Sequence, residues 1–153
     1  MSKVEFQVAW CESTPGEVHV TFSGHMTPCD KRVFEASPVY ASKLKDVTCE
    51  VCGAYVLFDM EAARKAAEQY VTNHAGTAKW SDLDRIEFAG NAMERAAGVA
   101  FRLKRERGEW NSNMAFSEFM AGGGWMTDKS PEAGLIGMTA IAVFDNLKER
   151  EAE

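Results

Sequence analysis

Cys49 and Cys52, in the stretch Thr48-Cys49-Glu50-Val51-Cys52-Gly53, constrain this chain more than any other local pattern in it. Two thiols at C-x2-C spacing aim two thiolates at one focus, and Gly53 supplies a permissive backbone that lets neighbouring amides approach the sulfurs. The pair reads as half of a tetrahedral metal site, so the other half must come from elsewhere in the chain. Cys29 provides one further ligand, because the 19 residues between it and Cys49 match the roughly 15 to 20 expected between the halves of a ribbon-type zinc site. No second C-x2-C accompanies it, and the fourth ligand is sought among His19, His25 and Cys11.

Geometry ranks these three. If 17–22 and 28–34 form the arms of a hairpin closing around Gly24, His19 faces Cys29 across the ladder, with Cβ atoms ~5 Å apart and one metal ion within reach of both. The rival is His25-Met26-Thr27-Pro28-Cys29, an H-x3-C knuckle whose two ligands come from the turn itself. Cys11 ranks third, since it needs the first hairpin to fold back over the site. A site with four protein ligands is closed and structural, leaving no position for a catalytic water. It would order a strand-rich segment too short of apolar surface to order itself, with metal binding and folding coupled. Reduced core thiols explain Cys11 well, but not a C-x2-C with a third cysteine at ribbon distance.

Composition narrows the setting. A chain of 153 residues, 46% apolar and 26% charged, is long enough for a real core and has the balance of a globular protein. The net charge of −6 argues against wholesale binding to phosphate backbones, where affinity comes from Lys and Arg displacing counterions. Four cysteines behind the polar start Met1-Ser2-Lys3-Val4-Glu5 favour a reducing cytoplasm, with metal-bound or free thiols rather than disulfides. The longest apolar run, 133–144, is too short for a bilayer of ~30 Å and reads as a buried helix.

The pattern changes near Phe58. Before it, 4–10 and 17–22 alternate apolar and polar residues around the turn Thr14-Pro15-Gly16, predicting a hairpin, with further strands at 31–34 and 54–58. After it the spacing is helical. Asp59 opens a helix carrying Met60, Ala63, Ala67, Tyr70, Val71 and His74 that ends at Gly76. Ser81 caps a longer one, to about Arg107 before Gly108, whose stripe of Leu83, Ile86, Gly90, Met93, Ala97 and Ala100 implies close approach by another helix, within the chain or in a second copy through 82–107. A short helix at 114–121 runs into Gly122-Gly123-Gly124, and Ser130-Pro131-Glu132 starts a last one reaching about Glu149. The expected architecture is α+β: a β-rich, zinc-ribbon-like module over 1–58, followed over 59–153 by a bundle of three or four helices.

The order Val18-His19, Pro28-Cys29 and Asp46-Val47-Thr48-Cys49-Glu50-Val51-Cys52 resembles a pattern in small uncharacterised zinc-binding proteins of actinobacteriophages and their hosts. There a valine-histidine pair precedes a single cysteine by about ten residues and a VTC-x2-C turn follows. The resemblance covers about 17–53. It implies a small metal-stabilised module of phage origin, working in the host cytoplasm, with His19 at the matching ligand position; it carries no known activity. Asp30 departs from the glycine usual after the single cysteine.

Catalytic patterns are lacking. No HExxH, Gly-x-Ser-x-Gly or nucleotide fingerprint occurs. His74 reads as a cap or packed edge residue, and the triglycine as a helix stop rather than a phosphate cradle. Two surfaces invite binding. Arg102, Lys104, Arg105 and Arg107 gather positive charge at a helix C-terminus, with Trp110 beside them to stack on a ligand. Trp125 and Met126 follow the triglycine as an interface candidate. The sequence thus predicts a non-enzymatic, zinc-stabilised protein that binds another macromolecule, a protein rather than nucleic acid. The alternatives are a nucleic-acid-binding zinc-ribbon regulator and an enzyme with an open, three-ligand zinc.

Overall fold

The computed structural model describes residues 6–23, 25–36, 46–74, 81–121 and 131–149. It is an α+β protein, a small antiparallel sheet followed by five helices: β1 (Gln7–Trp10), β2 (His19–Thr21), β3 (Glu35–Ala36), α1 (Glu50–Leu57), α2 (Met60–His74), α3 (Asp82–Arg107), α4 (Ser112–Ala121) and α5 (Pro131–Asn146). The chain divides into two compact units, Met1–Asp59 with Glu149–Glu153, and Met60–Lys148.

In the first unit, the expected hairpin around Thr14-Pro15-Gly16 pairs β1 with β2, Val8 opposite Val20 and Ala9 opposite His19. Gly16 takes φ 90° in that turn, a left-handed conformation that glycine reaches without a side-chain penalty. β1 is the central strand, in the order β2-β1-β3. The strand expected at 31–34 is displaced to Glu35–Ala36, which pairs with β1 through Ala9 and Trp10.

The strand expected at 54–58 is a helix instead. The Gly53 amide donates to the Cys49 carbonyl (3.0 Å) and the Phe58 amide to that of Ala54 (2.9 Å), so α1 is helical from its first turn, and Gly53 is a helical residue rather than the pivot of a turn. Cys52, Gly53, Ala54, Val56 and Leu57 are all buried. A short run that is apolar on every side carries no periodicity to separate strand from buried helix.

The second unit is a bundle of four helices in which α2, α3 and α5 pack on one another and α4 packs on α3 and α5. Met60, Ala63, Ala67 and Val71 form the buried stripe of α2. α3 begins with a capping box, the Ser81 hydroxyl accepting from the Asp84 amide (3.2 Å) and the Asp84 carboxylate from the Ser81 amide (3.1 Å). It ends at Gly108, φ 78°, whose amide donates to the Lys104 carbonyl. Its packed stripe starts later than the spacing suggested: Leu83 and Ile86 are exposed, whereas Ala89, Ala92, Met93, Ala96, Ala97, Ala100 and Phe101 are buried. At 26 residues against 15 and 16 for α2 and α5, α3 is longer by ~15 Å than the partners available to cover it. Its small residues are used inside the bundle. α5 stops at Asn146, short of the expected Glu149, which instead forms a bridge with Phe58. Thr139, Ala140, Val143 and Phe144 are buried along it. Gly76, the triglycine and the Ser130 cap lie outside the described residues.

Candidate metal centre

Four side chains converge within the first unit. The Nδ1 or Nε2 of His19 and the Sγ atoms of Cys29, Cys49 and Cys52 can be chosen so that all lie within 4.8 Å of one another. His19 Nδ1 is 3.4 Å from both Cys29 Sγ and Cys52 Sγ, and those two sulfurs are 3.4 Å apart. Metal–sulfur bonds of ~2.3 Å and metal–nitrogen bonds of ~2.0 Å at tetrahedral angles space ligand atoms about 3.5–3.8 Å apart, so this set needs only small adjustments to enclose an ion. His19 and Cys52 are fully buried, Cys29 and Cys49 half-buried.

Backbone hydrogen bonds deliver each ligand. The Thr48 and Cys49 amides both donate to the Val18 carbonyl (3.0 Å each), and the Val18 amide donates to Thr48 Oγ1 (2.8 Å). This clamp ties the C-x2-C segment to the residue preceding His19. Cys49 is the N-cap of α1, with extended backbone at φ −72°, ψ 116°, and Cys52 lies one helical turn further on. Cys29 comes from a tight loop: the Asp30 amide donates to the Thr27 carbonyl (2.9 Å), the Thr27 amide to the Lys31 carbonyl (2.8 Å), and the Lys31 amide to Thr27 Oγ1 (2.9 Å). Asp30 has φ 67°, in the left-handed region where glycine is favoured and aspartate is among the better-tolerated substitutes.

His19 meets Cys29 by a different route from the cross-strand pair expected of a 17–22/28–34 hairpin. β2 pairs with β1, while 25–33 closes on itself through the Val33 amide and the His25 carbonyl (2.8 Å) and the Met26–Arg32 bridge. The Thr21 hydroxyl donates to the Met26 carbonyl (2.8 Å), holding this loop to the end of β2. Because Cys49 and Cys52 occupy a helix N-terminus, the centre is not the pair of hairpin knuckles that a zinc ribbon requires.

The second ring nitrogen of His19 fixes which one faces the sulfurs. Nε2 is 2.8 Å from Thr14 Oγ1 and 3.3 Å from the Glu17 carboxylate. A carboxylate only accepts, so Nε2 carries the proton in neutral imidazole and the Nδ1 lone pair points into the cluster. Partners of this kind orient metal-bound histidines. Thr14 and Glu17 escape a reading of the sequence because Thr14-Pro15-Gly16 reads there only as a turn; the usable signal is that a ligating histidine needs an acceptor for its other nitrogen.

The thiols act as one set. Cys49 and Cys52 donate S–H bonds to Cys29 and, with the Thr27 hydroxyl, hold the Cys29 thiol far below the ordinary range despite its burial. The bond to Cys29 in turn pushes Cys49 up to about 11, and raises Cys52 further still together with Cys49 and burial. The Cys52 amide bonded to Cys49 and the Val20 amide bonded to Cys52 each favour the thiolate. Three sulfurs and one imidazole nitrogen make a donor set for a soft or borderline metal ion.

The alternative ligands stay outside the cluster. His25 is exposed, with its amide facing Ser23 Oγ (3.2 Å). Cys11 is buried, and its thiol is pushed up first by that burial and then by the Cys29 charge.

The basic segment is partly neutralised within its own unit. Arg102 and Arg107 both reach the Glu118 carboxylate of α4 (3.2 and 3.5 Å), and Arg105 approaches Glu106 (3.8 Å) and lies over the Phe101 ring. Lys104 and Trp110 are half-buried, and Trp125 lies outside the described residues. His74, expected as a cap or packed edge residue, is exposed; it stacks on Tyr70 of its own helix at 3.9 Å and its Nδ1–H donates to the Tyr70 carbonyl (2.9 Å). No described helix is long and apolar enough to cross a membrane. Comparison of the chain with known protein families, with curated proteins and with solved structures finds no match.

Proposed function

We propose that His19, Cys29, Cys49 and Cys52 bind one zinc ion in a closed structural site, and that the protein is a non-enzymatic module whose partner is another protein. The observation that carries the zinc reading is the convergence of four ligand atoms with a histidine whose second nitrogen is already committed to Thr14 and Glu17. Zinc suits coordination by three sulfurs and one nitrogen, having no d-electron preference of geometry. Three thiolates, a neutral imidazole and a divalent cation leave a charge of −1, which the Cys52 and Val20 amides and the positive end of α1 offset. With four protein ligands no coordination position stays open, which weighs against an exposed catalytic metal.

A protein partner is favoured over nucleic acid by the net charge of −6 and by the engagement of Arg102 and Arg107 with Glu118. Exposed Phe34, Leu83 and Ile86 offer apolar contact instead. The phage resemblance of 17–53 suggests a module directed at host machinery. The test is native mass spectrometry with elemental analysis of the purified chain. One zinc per chain, lost together with ordered structure in Cys49→Ser, supports the reading; a folded protein without metal removes it.

A further inference from the structure

The four ligands differ in access. Cys49 is half-buried at the N-cap of α1, and Cys52, one turn along, is buried. A C-x2-C at a helix N-terminus is an arrangement in which dithiol and disulfide interconvert, the outer sulfur reacting first and the inner one resolving it. Here the same two sulfurs are half of the metal centre, so the two chemistries exclude each other.

We propose that Cys49 and Cys52 form an oxidation site for hydroperoxides that controls metal occupancy, an inference that rests on the zinc reading above. The Cys49 thiolate attacks one peroxide oxygen, the O–O bond breaks, and Cys49 becomes a sulfenic acid as hydroxide leaves. The Cys52 thiolate then attacks the Cys49 sulfur; the S–S bond forms, the S–O bond breaks and a second hydroxide leaves. Two thiolates and one hydrogen peroxide give one disulfide and two hydroxides, with two electrons passing from sulfur to oxygen. The metal keeps only His19 and Cys29 as protein ligands, and dissociates.

Two features favour this pairing over one with Cys29, although Cys29 Sγ is only 3.4 Å from Cys52 Sγ. Cys49 and Cys52 belong to one helical turn closed by the Gly53 amide and the Cys49 carbonyl, so they stay close after the metal leaves. Cys29 sits on a separate loop whose hydrogen bonds run between Thr27, Asp30 and Lys31, and it meets α1 through its sulfur beside Cys52 Sγ rather than through a shared helical turn.

The experiment treats the full chain, loaded with one zinc, with hydrogen peroxide while a chromophoric chelator reports free zinc. The expected result is release of one zinc per chain, a mass lower by about 2 Da than the reduced apoprotein, a Cys49–Cys52 cross-linked peptide, and zinc uptake restored by dithiothreitol. Cys11→Ser releases zinc to the same extent. Retention of zinc in excess peroxide, a disulfide to Cys29 or Cys11, or over-oxidised sulfur without a disulfide overturns the inference. A chain that takes up no zinc at the loading step removes the reading beneath it, a distinct failure seen before peroxide is added.

Discussion

The two units solve the problem of a small core by opposite means. The helical unit uses elements of 15, 26, 10 and 16 residues whose small buried side chains, Ala63 and Ala67 on α2 and Ala89, Ala92, Ala96, Ala97 and Ala100 on α3, let backbones approach closely. The sheet unit has strands of 4, 3 and 2 residues and one 8-residue helix, below the ~5–6 residues usual for a strand. Its buried set includes His19, Thr21 and Thr27 beside Val20, Val47 and Phe58. Where periodic apolar faces are long, packing suffices; where they are short, polar side chains converge on one point, and the proposed metal ion would make that convergence favourable.

This contrast can be broken experimentally, and the largest expected effect is metal removal. Structural zinc contributes on the order of 10 kcal/mol in small zinc-dependent modules, so chelation at pH 7 should abolish amide-exchange protection in 6–23 and 46–57 and leave protection in α2, α3 and α5. Equal loss in both regions would show that the units do not differ in this way. Next comes the converse, Met93→Ala in the helical unit, where Met93 is fully buried. Truncation should cost ~2–5 kcal/mol in chemical unfolding of the helices, while zinc content stays at one per chain.

A smaller effect tests the outer partners of the metal centre. Thr14→Val removes the hydroxyl 2.8 Å from His19 Nε2 and should weaken zinc affinity about tenfold, the low end for such partners, in competition with a chelator of known affinity. An unchanged affinity would mean that Glu17 alone orients the ring. The smallest is Ser81→Ala, which deletes one arm of the capping box on α3; about 1 kcal/mol of helical-unit stability should be lost, with zinc affinity untouched.

The helical unit is the more legible in the sequence. Ser81, Gly108 and the three-and-four spacing mark the bounds of α3 because capping and periodicity act locally, and the α2 stripe of Met60, Ala63, Ala67 and Val71 is equally readable. Leu83 and Ile86 depart from expectation for a tertiary reason: periodicity marks a face but not how far a partner helix extends along it. In the sheet unit, the hairpin around Thr14-Pro15-Gly16 is clear from alternation and turn residues. Cys49 to Phe58 is not, since an apolar run of this length fits either secondary structure.

The candidate site divides in the same manner. Residue types and spacing by themselves point to Cys29, Cys49 and Cys52, with His19 ranked over His25, because the donor chemistry of a metal site is a property of side chains and their separation along the chain. Tertiary structure alone decided how the four meet. The Val18–Thr48 clamp joins segments 30 residues apart, the Thr21–Met26 bond and the left-handed Asp30 set the Cys29 loop beside β2, and the Thr14 and Glu17 contacts select Nδ1 over Nε2. Each of these bonds pairs a common threonine or glutamate side chain with a backbone group or with the imidazole, and such residues occur along the whole chain without marking their partners; the pairings exist only once β1, β2 and α1 have fixed where each group points.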